Sequence, residues 1–318
     1  MRKIKCPVCH SMHTVKNGRR KGQQLYKCAD CNHQFRYINL PRDEDFWRLY
    51  QENKQTVREL SVHYGVSEST IKRRLRNIAI EWEQPVLSGS GFVHLDATYW
   101  GHNWGILIGQ DEERTGIVLY LAFIHNETTA DYVAAVESIE ARGYEIRGLI
   151  IDGKQALFRE FSGYKIQMCQ FHMKQIVRRY LTLNPRLKAA RALKELMGTL
   201  TVSDKATFEE AYQGWKEEWH DTLCHRSRLK SGKTQYTHKR LRSAMRSIDF
   251  YLSYLFTFQS APGMPNTNNK IEGTFTDLKK NLNNHSGMSE MNRKRFICGF
   301  FLAWNEALSM NKQGPPAR

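Results

Sequence analysis

Nowhere in the 318 residues do about 18 consecutive apolar residues occur, so no segment has the length and apolarity of a membrane-spanning helix. The first residues are basic and polar, without the apolar stretch of a secretory signal. The expectation is a cytoplasmic protein, making no membrane contact, whose thiols stay reduced. Acids are scarce as well: 32 Asp and Glu against 48 Lys and Arg give a formal net charge of +16. The shortage is uneven. Residues 1–85 hold 17 basic and 9 acidic side chains, residues 86–173 hold 6 and 11, and residues 174–318 hold 25 and 12. A uniformly basic chain would imply only nonspecific adhesion to polyanions, whereas basic flanks around an acidic centre imply polyanion binding beside a site that needs carboxylates.

Cysteine is sparse but concentrated. Cys6-Pro-Val-Cys9 and Cys28-Ala-Asp-Cys31 are two CxxC knuckles separated by the 18 residues 10–27. That spacing lets two hairpins present four thiolates to one tetrahedral Zn²⁺, a zinc ribbon over residues 1–37. A segment of this size has too little apolar content to fold without such a staple. Two disulfides, or free thiols, are the competing reading. Lys16, Arg19, Arg20, Lys21 and Lys27 accompany Tyr26 and Phe35 there, a basic and partly aromatic surface suited to phosphate.

From Pro41 the composition turns helical, with Asp43, Glu44 and Asp45 opening a segment that carries Phe46, Trp47, Leu49 and Tyr50. In the stretch Thr56–Arg76, Thr56 and Glu59 have capping-box spacing, Gly65 permits a left-handed corner, and Ser67 can cap the next helix. Val57, Leu60, Val66, Ile71 and Leu75 are spaced for one core. The pattern predicts a helix-turn-helix within residues 41–83. Its recognition helix runs from Ser67 to Arg76 and offers Ser69, Thr70, Lys72, Arg73, Arg74 and Arg76 to bases and phosphates. Ordinary helical hairpins share this pattern; its place behind a zinc ribbon in a basic block favours DNA.

Residues 84–91 read as a linker by composition. Beyond it, Phe92–Trp100, Gly105–Gly109 and Ile117–Phe123 suggest an antiparallel meander. An amphipathic helix over 128–143 and a buried strand Gly148–Asp152 imply a parallel crossover, and Lys165–Cys169 is one more strand. That order is an α/β, ribonuclease-H-like core. Asp96 and Asp152 each interrupt an apolar strand, where a carboxylate is costly to bury unless a metal or hydrogen bonds offset it. A lone strand-end Asp is usually a cap or turn residue; two at matching positions of this topology point to catalysis. The third carboxylate is sought in Asn268–Leu282, whose Ile271, Phe275, Leu278 and Leu282 make one apolar helix face. Glu272 lies in its first turn. It can also be read as an acid complementing the helix dipole, and Asp277 is its rival.

Leu95-Asp96-Ala-Thr-Tyr-Trp100, Ile151-Asp152-Gly153, Cys169-Gln-Phe-His172 and Asn269-Lys-Ile-Glu272-Gly273, in that order, resemble the DDE transposases of bacterial insertion sequences, most closely the Mutator-like group. The resemblance covers most of the chain from about residue 90, a catalytic domain over 91–312. It implies a catalytic triad of Asp96, Asp152 and Glu272 holding two Mg²⁺ ions, or Mn²⁺, for in-line phosphodiester cleavage and joining. It also implies double-stranded DNA as partner, both terminal inverted repeats and target, a homodimer on paired DNA ends, and a nucleoid-associated location. Cys169 and His172 look like the group's Cys-x-x-His element. By spacing alone they are half a zinc site whose other half, Cys224 with His225 or His220, is not obvious, or a plain core pair; the preferred reading is an accessory role at the edge of the active site.

Between His172 and Glu272 the segments 173–183, 186–200, 205–219 and 237–258 all read as helices, an all-helical insertion over about 173–265. Its many cations, Arg178, Arg179, Arg186, Lys239 and Arg240 among them, suggest a wall of a DNA channel, with Trp215 or Trp219 either stacking on a flipped base or serving as core. The functional expectation is a transposase. A regulator with an inactive core, or a ribonuclease-H-like nuclease without strand transfer, are the alternatives.

Overall fold

The computed structural model describes residues 4–20, 22–37, 41–85, 88–101, 103–112 and 116–310. The chain forms two compact units, residues 1–80 with 284–292, and residues 81–283 with 293–318. The architecture is mixed α/β, with twelve α-helices among the described residues. No helix among the described residues is long and apolar enough to cross a membrane.

The first unit opens with strands β1 (Thr14–Arg20), β2 (Gln23–Cys28) and β3 (Gln34–Arg36), an antiparallel sheet in that order. Three helices follow, α1 (Asp43–Gln51), α2 (Val57–Tyr64) and α3 (Glu68–Asn77). Their limits follow from local chemistry. Thr56 and Glu59 form the reciprocal capping box, Gly65 ends α2 at φ 62°, and the Ser67 hydroxyl accepts the Thr70 N–H. Phe46, Trp47, Tyr50, Leu60, Ile71 and Leu75 are buried as its core. Residues 284–292 close back on α1: the His285 and Tyr50 rings lie 4.3 Å apart, and the Tyr50 hydroxyl donates to Met288 Sδ at 3.5 Å.

The second unit is built on a five-stranded sheet of β4 (Gly89–Trp100), β5 (Trp104–Asp111), β6 (Val118–Ile124), β7 (Tyr144–Ile151) and β8 (Ile166–Met168), in the order β6-β5-β4-β7-β8. β4, β5 and β6 pair antiparallel; β4, β7 and β8 pair parallel. Helix α4 (Thr129–Ala141), capped by Thr128 and Asp131, makes the crossover from β6 to β7, and α5 (Gln155–Glu160) that from β7 to β8. Residues 89–91, which composition assigns to a linker, instead begin β4. They pair with Tyr144–Ile146, so backbone bonding overrides the Gly-Ser-Gly composition.

Beyond β8 come α6 (Gln170–Leu181), α7 (Lys188–Thr199), α8 (Lys205–Glu218), α9 (His220–Cys224), the strands β9 (Arg226–Arg228) and β10 (Thr234–Tyr236), and α10 (Lys239–Tyr251). Two 3₁₀ turns at 252–254 and 257–260 lead to α11 (Asn269–Asn283) and α12 (Glu290–Met310). The insertion is therefore not all-helical. β9 and β10 form an antiparallel hairpin whose turn places Gly232 at φ +80°, and the Arg226 and Arg242 guanidinium groups lie 4.6 and 3.6 Å from the Tyr236 ring centre. Trp215 is core, its Nε1–H donating to Ala189 O at 3.0 Å, and Trp219 is partly buried against the same cluster.

Candidate functional site

The four knuckle cysteines converge. Cys6 Sγ lies 3.6 Å from Cys31 Sγ, and Cys9 Sγ 3.5 Å from Cys28 Sγ; all four sulfurs are within 4.8 Å of one another, a group able to hold a metal ion. None is in a disulfide. The two knuckles repeat one local design. The Cys6 N–H donates to Ser11 O and the Cys28 N–H to His33 O, at 2.8 and 2.9 Å. The residue after each second cysteine, His10 or Asn32, turns left-handed at φ 60° and 58°. Each loop thereby curls its amides toward the sulfurs. Burial opposes ionisation of Cys6, yet backbone amides at Cys9 and Val8 pull its thiol down to about 6, while hydrogen bonding among the neighbouring sulfurs pushes Cys9 and Cys31 up, as four crowded thiols sharing few protons do.

Around this group Arg19 and Arg20 are exposed on β1, while Lys21 lies outside the described residues. On α3, Ser69, Lys72, Arg73 and Arg76 are exposed, and Thr70 is half-buried with its hydroxyl 3.0 Å from that of Ser67. Lys72 faces Glu68 at 3.4 Å. Arg74 differs. Its guanidinium contacts the Asp43 carboxylate at 2.8 Å, donates to Pro41 O and lies 5.2 Å from the Phe46 ring centre, tying α3 to α1.

In the second unit, parallel register pairs His94 of β4 with Ile150 of β7. Two residues farther, Asp96 and Asp152 therefore leave neighbouring strands at one level. Asp96 is 9% exposed, with Oδ1 accepting the Ala97 N–H at 2.8 Å. Burial first, then the negative charge of Asp152, raises its pKa well above the ordinary value; Glu272 and Glu127 add to the rise. Asp152 is pushed up to about 6 by burial and by Glu127, against Lys154 and Arg179. Glu272, in the first turn of α11, stands 3.6 Å from His172 Nε2. Asp152 Oδ1, Glu272 Oε1 and His172 Nδ1 are buried without a hydrogen-bond partner. Burial holds the His172 pKa down, opposed by Glu272. Asp277 is exposed and faces Lys280 at 3.9 Å, whereas Glu272 is among the charges that act on Asp96. The three carboxylates are not as closely gathered as the thiols: among the described residues only the cysteines form a group of three or more such donors within 4.8 Å.

Cys169 follows β8 directly and caps the start of α6. Its N–H donates to Ile151 O at 3.0 Å, and its Sγ accepts the Asn268 N–H at 3.2 Å, while burial pushes the thiol up to about 11. Cys169 is thus a neutral hydrogen-bond acceptor. Cys224 keeps company with His220 on α9, Sγ to Nε2 3.5 Å. No group of three donors joins that pair to Cys169 and His172 among the described residues.

Sequence reasoning missed several neighbours. Glu127 accepts the Tyr132 hydroxyl at 3.0 Å and faces Lys154 Nζ at 3.8 Å. Buried His94 lies between Asn268 and Glu112. A signal existed for both: an acid just before a helix cap, and a histidine two residues from Asp96 in an apolar strand.

No protein family matches the sequence, and no curated protein matches it. Among solved structures, the chain is similar to one from a simian T-cell lymphotropic virus intasome in complex with PP2A regulatory subunit B56 gamma. The identity is 13%, over 50% of this chain and 69% of that chain, and the TM-score of 0.22 is too low to carry an argument.

Proposed function

We propose that the chain is a DDE-type DNA transposase of a bacterial insertion sequence, cutting and joining DNA strands with Asp96, Asp152 and Glu272. The observation that carries this reading is the electrostatic coupling of three carboxylates from distant parts of the chain, two of them keeping a buried, unpartnered oxygen. The sheet order β6-β5-β4-β7-β8, with an antiparallel trio joined through a crossover helix to a parallel pair, supports a ribonuclease-H-like core. All three carboxylates being present speaks against an inactive, purely regulatory core.

The donor set suits a hard divalent cation. Carboxylate oxygens are the ligands Mg²⁺ and Mn²⁺ take, and the burial, with the added negative charges of Asp152 on Asp96 and of Glu127 on Asp152, that raises these pKa values is what such a charge would offset. Asp96, Asp152 and Glu272 would hold it. Bound there, two ions would supply activation of the attacking oxygen and neutralisation of the leaving one. The chain's own groups prepare the site. Lys154 and the Tyr132 hydroxyl hold Glu127, whose charge acts on both aspartates, and His172 stands beside Glu272. Arg179, whose charge reaches both Asp152 and His172, would be the cation to meet a phosphate.

In the first unit, sulfur separations of 3.5 and 3.6 Å approach the edge of about 3.8 Å expected for a tetrahedron with Zn–S bonds of about 2.3 Å, which supports a structural Zn²⁺ and a zinc ribbon. Arg73, Arg76, Lys72 and Ser69 on α3, with Arg19 and Arg20 on β1, would engage terminal inverted repeats. A homodimer pairing two DNA ends in the bacterial nucleoid completes the proposal.

The test is cleavage of repeat-bearing duplex in Mn²⁺. Asp152→Asn and Glu272→Gln should each lose several kcal/mol of transition-state stabilisation, about 10³-fold or more in rate, while repeat binding holds. Asp277→Asn should cleave as wild type. Full cleavage by Asp152→Asn removes the mechanism; loss in Asp277→Asn with full activity in Glu272→Gln reassigns the third carboxylate.

A further inference from the structure

The apolar face of α11, Ile271, Phe275, Leu278 and Leu282, repeats at every turn and so does not by itself select one docking register. A slip of one turn would carry Glu272 about 6 Å along the helix. The selection comes from a buried polar group. We infer that His94 is a positioning residue for the third carboxylate: it fastens Asn268, the residue that opens α11, to β4, and so brings Glu272 level with Asp96. The inference rests on the reading of Asp96, Asp152 and Glu272 as one site.

Two periodicities match. His94 and Asp96 are two residues apart on β4, hence on one face and about 6.7 Å apart along the strand. Asn268 and Glu272 are four apart, one helical turn or about 6 Å. Pinning the first pair therefore aligns the second. The Asn268 carbonyl accepts the Glu272 N–H at 3.1 Å, so the residue that meets His94 also closes the turn carrying Glu272.

His94 is fully buried and engaged at both ring nitrogens, Nδ1 2.7 Å from Asn268 Oδ1 and Nε2 2.7 Å from Glu112 Oε2. Glu112 in turn holds Lys270 Nζ at 3.1 Å, a second tie to the first turn of α11. From the other side Cys169 Sγ takes the Asn268 N–H. A slipped register would break all of these together and leave buried donors and acceptors unpaired. An apolar residue at 94 would fill the sheet but leave α11 without its stop. This gives Cys169 a definite task as well: it buttresses Asn268.

The experiment uses the full zinc-loaded chain with two readouts. With no Mg²⁺ or Mn²⁺ added, amide hydrogen exchange of residues 269–275 should accelerate at least about tenfold in Asn268→Ala and His94→Leu relative to α4, and much less in His94→Gln, which keeps a polar partner for Asn268. With Mn²⁺ as probe, Asn268→Ala should weaken binding about 10–100-fold, an effect absent when Glu272→Gln is already present. Unchanged exchange in Asn268→Ala overturns the inference, as does a Mn²⁺ effect that persists without Glu272. Should His94→Leu not fold, Asn268→Ala alone decides. A wild-type chain that binds no Mn²⁺ would contradict the proposed carboxylate centre, while the exchange readout would still decide for or against the His94 tie.

Discussion

The four cysteines and the three carboxylates are both sets of metal-type donors, assembled on opposite plans. The cysteines come from residues 6–31, held by two local turns, and their sulfurs already sit at contact distance. The carboxylates come from residues 96, 152 and 272, carried by a strand, a strand end and a helix start within a large buried core, and they stay farther apart. The first set has almost nothing to fold around except what it binds. The second is held by a fold that stands without it, against its own charge repulsion. On the proposed reading, that is the difference between a structural centre, which would close around its ion, and a reactive one, which would leave coordination open to substrate.

The largest effect expected from this contrast is in the first unit. Structural zinc contributes an apparent 10–16 kcal/mol, roughly, in small cysteine-ligated modules, so Cys28→Ser should remove one equivalent of zinc and unfold residues 4–37. Amide protection across β4–β8 should be untouched. Zinc content equal to wild type in that variant would break the comparison at its root.

Next in size is an opposite response to pH. Zinc held by thiolates would be released on acidification, loosening the first unit. Metal-free Asp152 behaves in reverse. Its folded value of about 6 lies above the unfolded value of about 3.9, so the folded state holds a proton the unfolded state has lost. The Asp152 share of second-unit stability should therefore fall by about 2–3 kcal/mol as pH rises from about 4 to about 6, and Asp152→Asn should lessen the slope, with the remainder coming from Asp96, whose value is raised as well. Hydrogen exchange followed across this range, unit by unit, checks both signs.

A smaller effect separates neighbouring arginines of α3. Arg74→Ala should cost about 1 kcal/mol of stability, because its partly exposed ion pair with Asp43 and its contact with Phe46 tie two helices. Arg73→Ala should leave melting unchanged and weaken DNA binding, lowering the salt slope by about 0.9 if it meets a phosphate. Equal melting for the two variants would remove the distinction. Smallest of all, Glu68→Gln should change stability by only a few tenths of a kcal/mol, since its pairing with Lys72 is exposed.

What was legible in the sequence follows the same division. The knuckles, the Thr56–Glu59 box, the Gly65 corner and the Ser67 cap are decided within a few residues, and each stands where its spacing placed it. The order of strands and crossover helices was readable because each element carries its own periodicity. The hairpin at 226–236 was not, since strands of three residues, Arg-Ser-Arg and Thr-Gln-Tyr, have no apolar alternation to announce them. Nor was the His94–Asn268–Cys169 contact, which joins residues 174 and 99 apart in the chain and leaves no local pattern. Arg74 was expected among the DNA contacts; only the fold reveals that it is already occupied by Asp43.

The most direct test of the central claim follows the fate of a cut 3′ end. Wild-type protein, repeat-bearing DNA, Mn²⁺ and a second duplex should yield a covalent joint between the repeat's 3′ end and the second duplex, absent with Asp96→Asn. Cleavage with no joint under the same conditions would make the chain a nuclease, and a joint formed equally by Asp96→Asn would contradict the carboxylate mechanism itself.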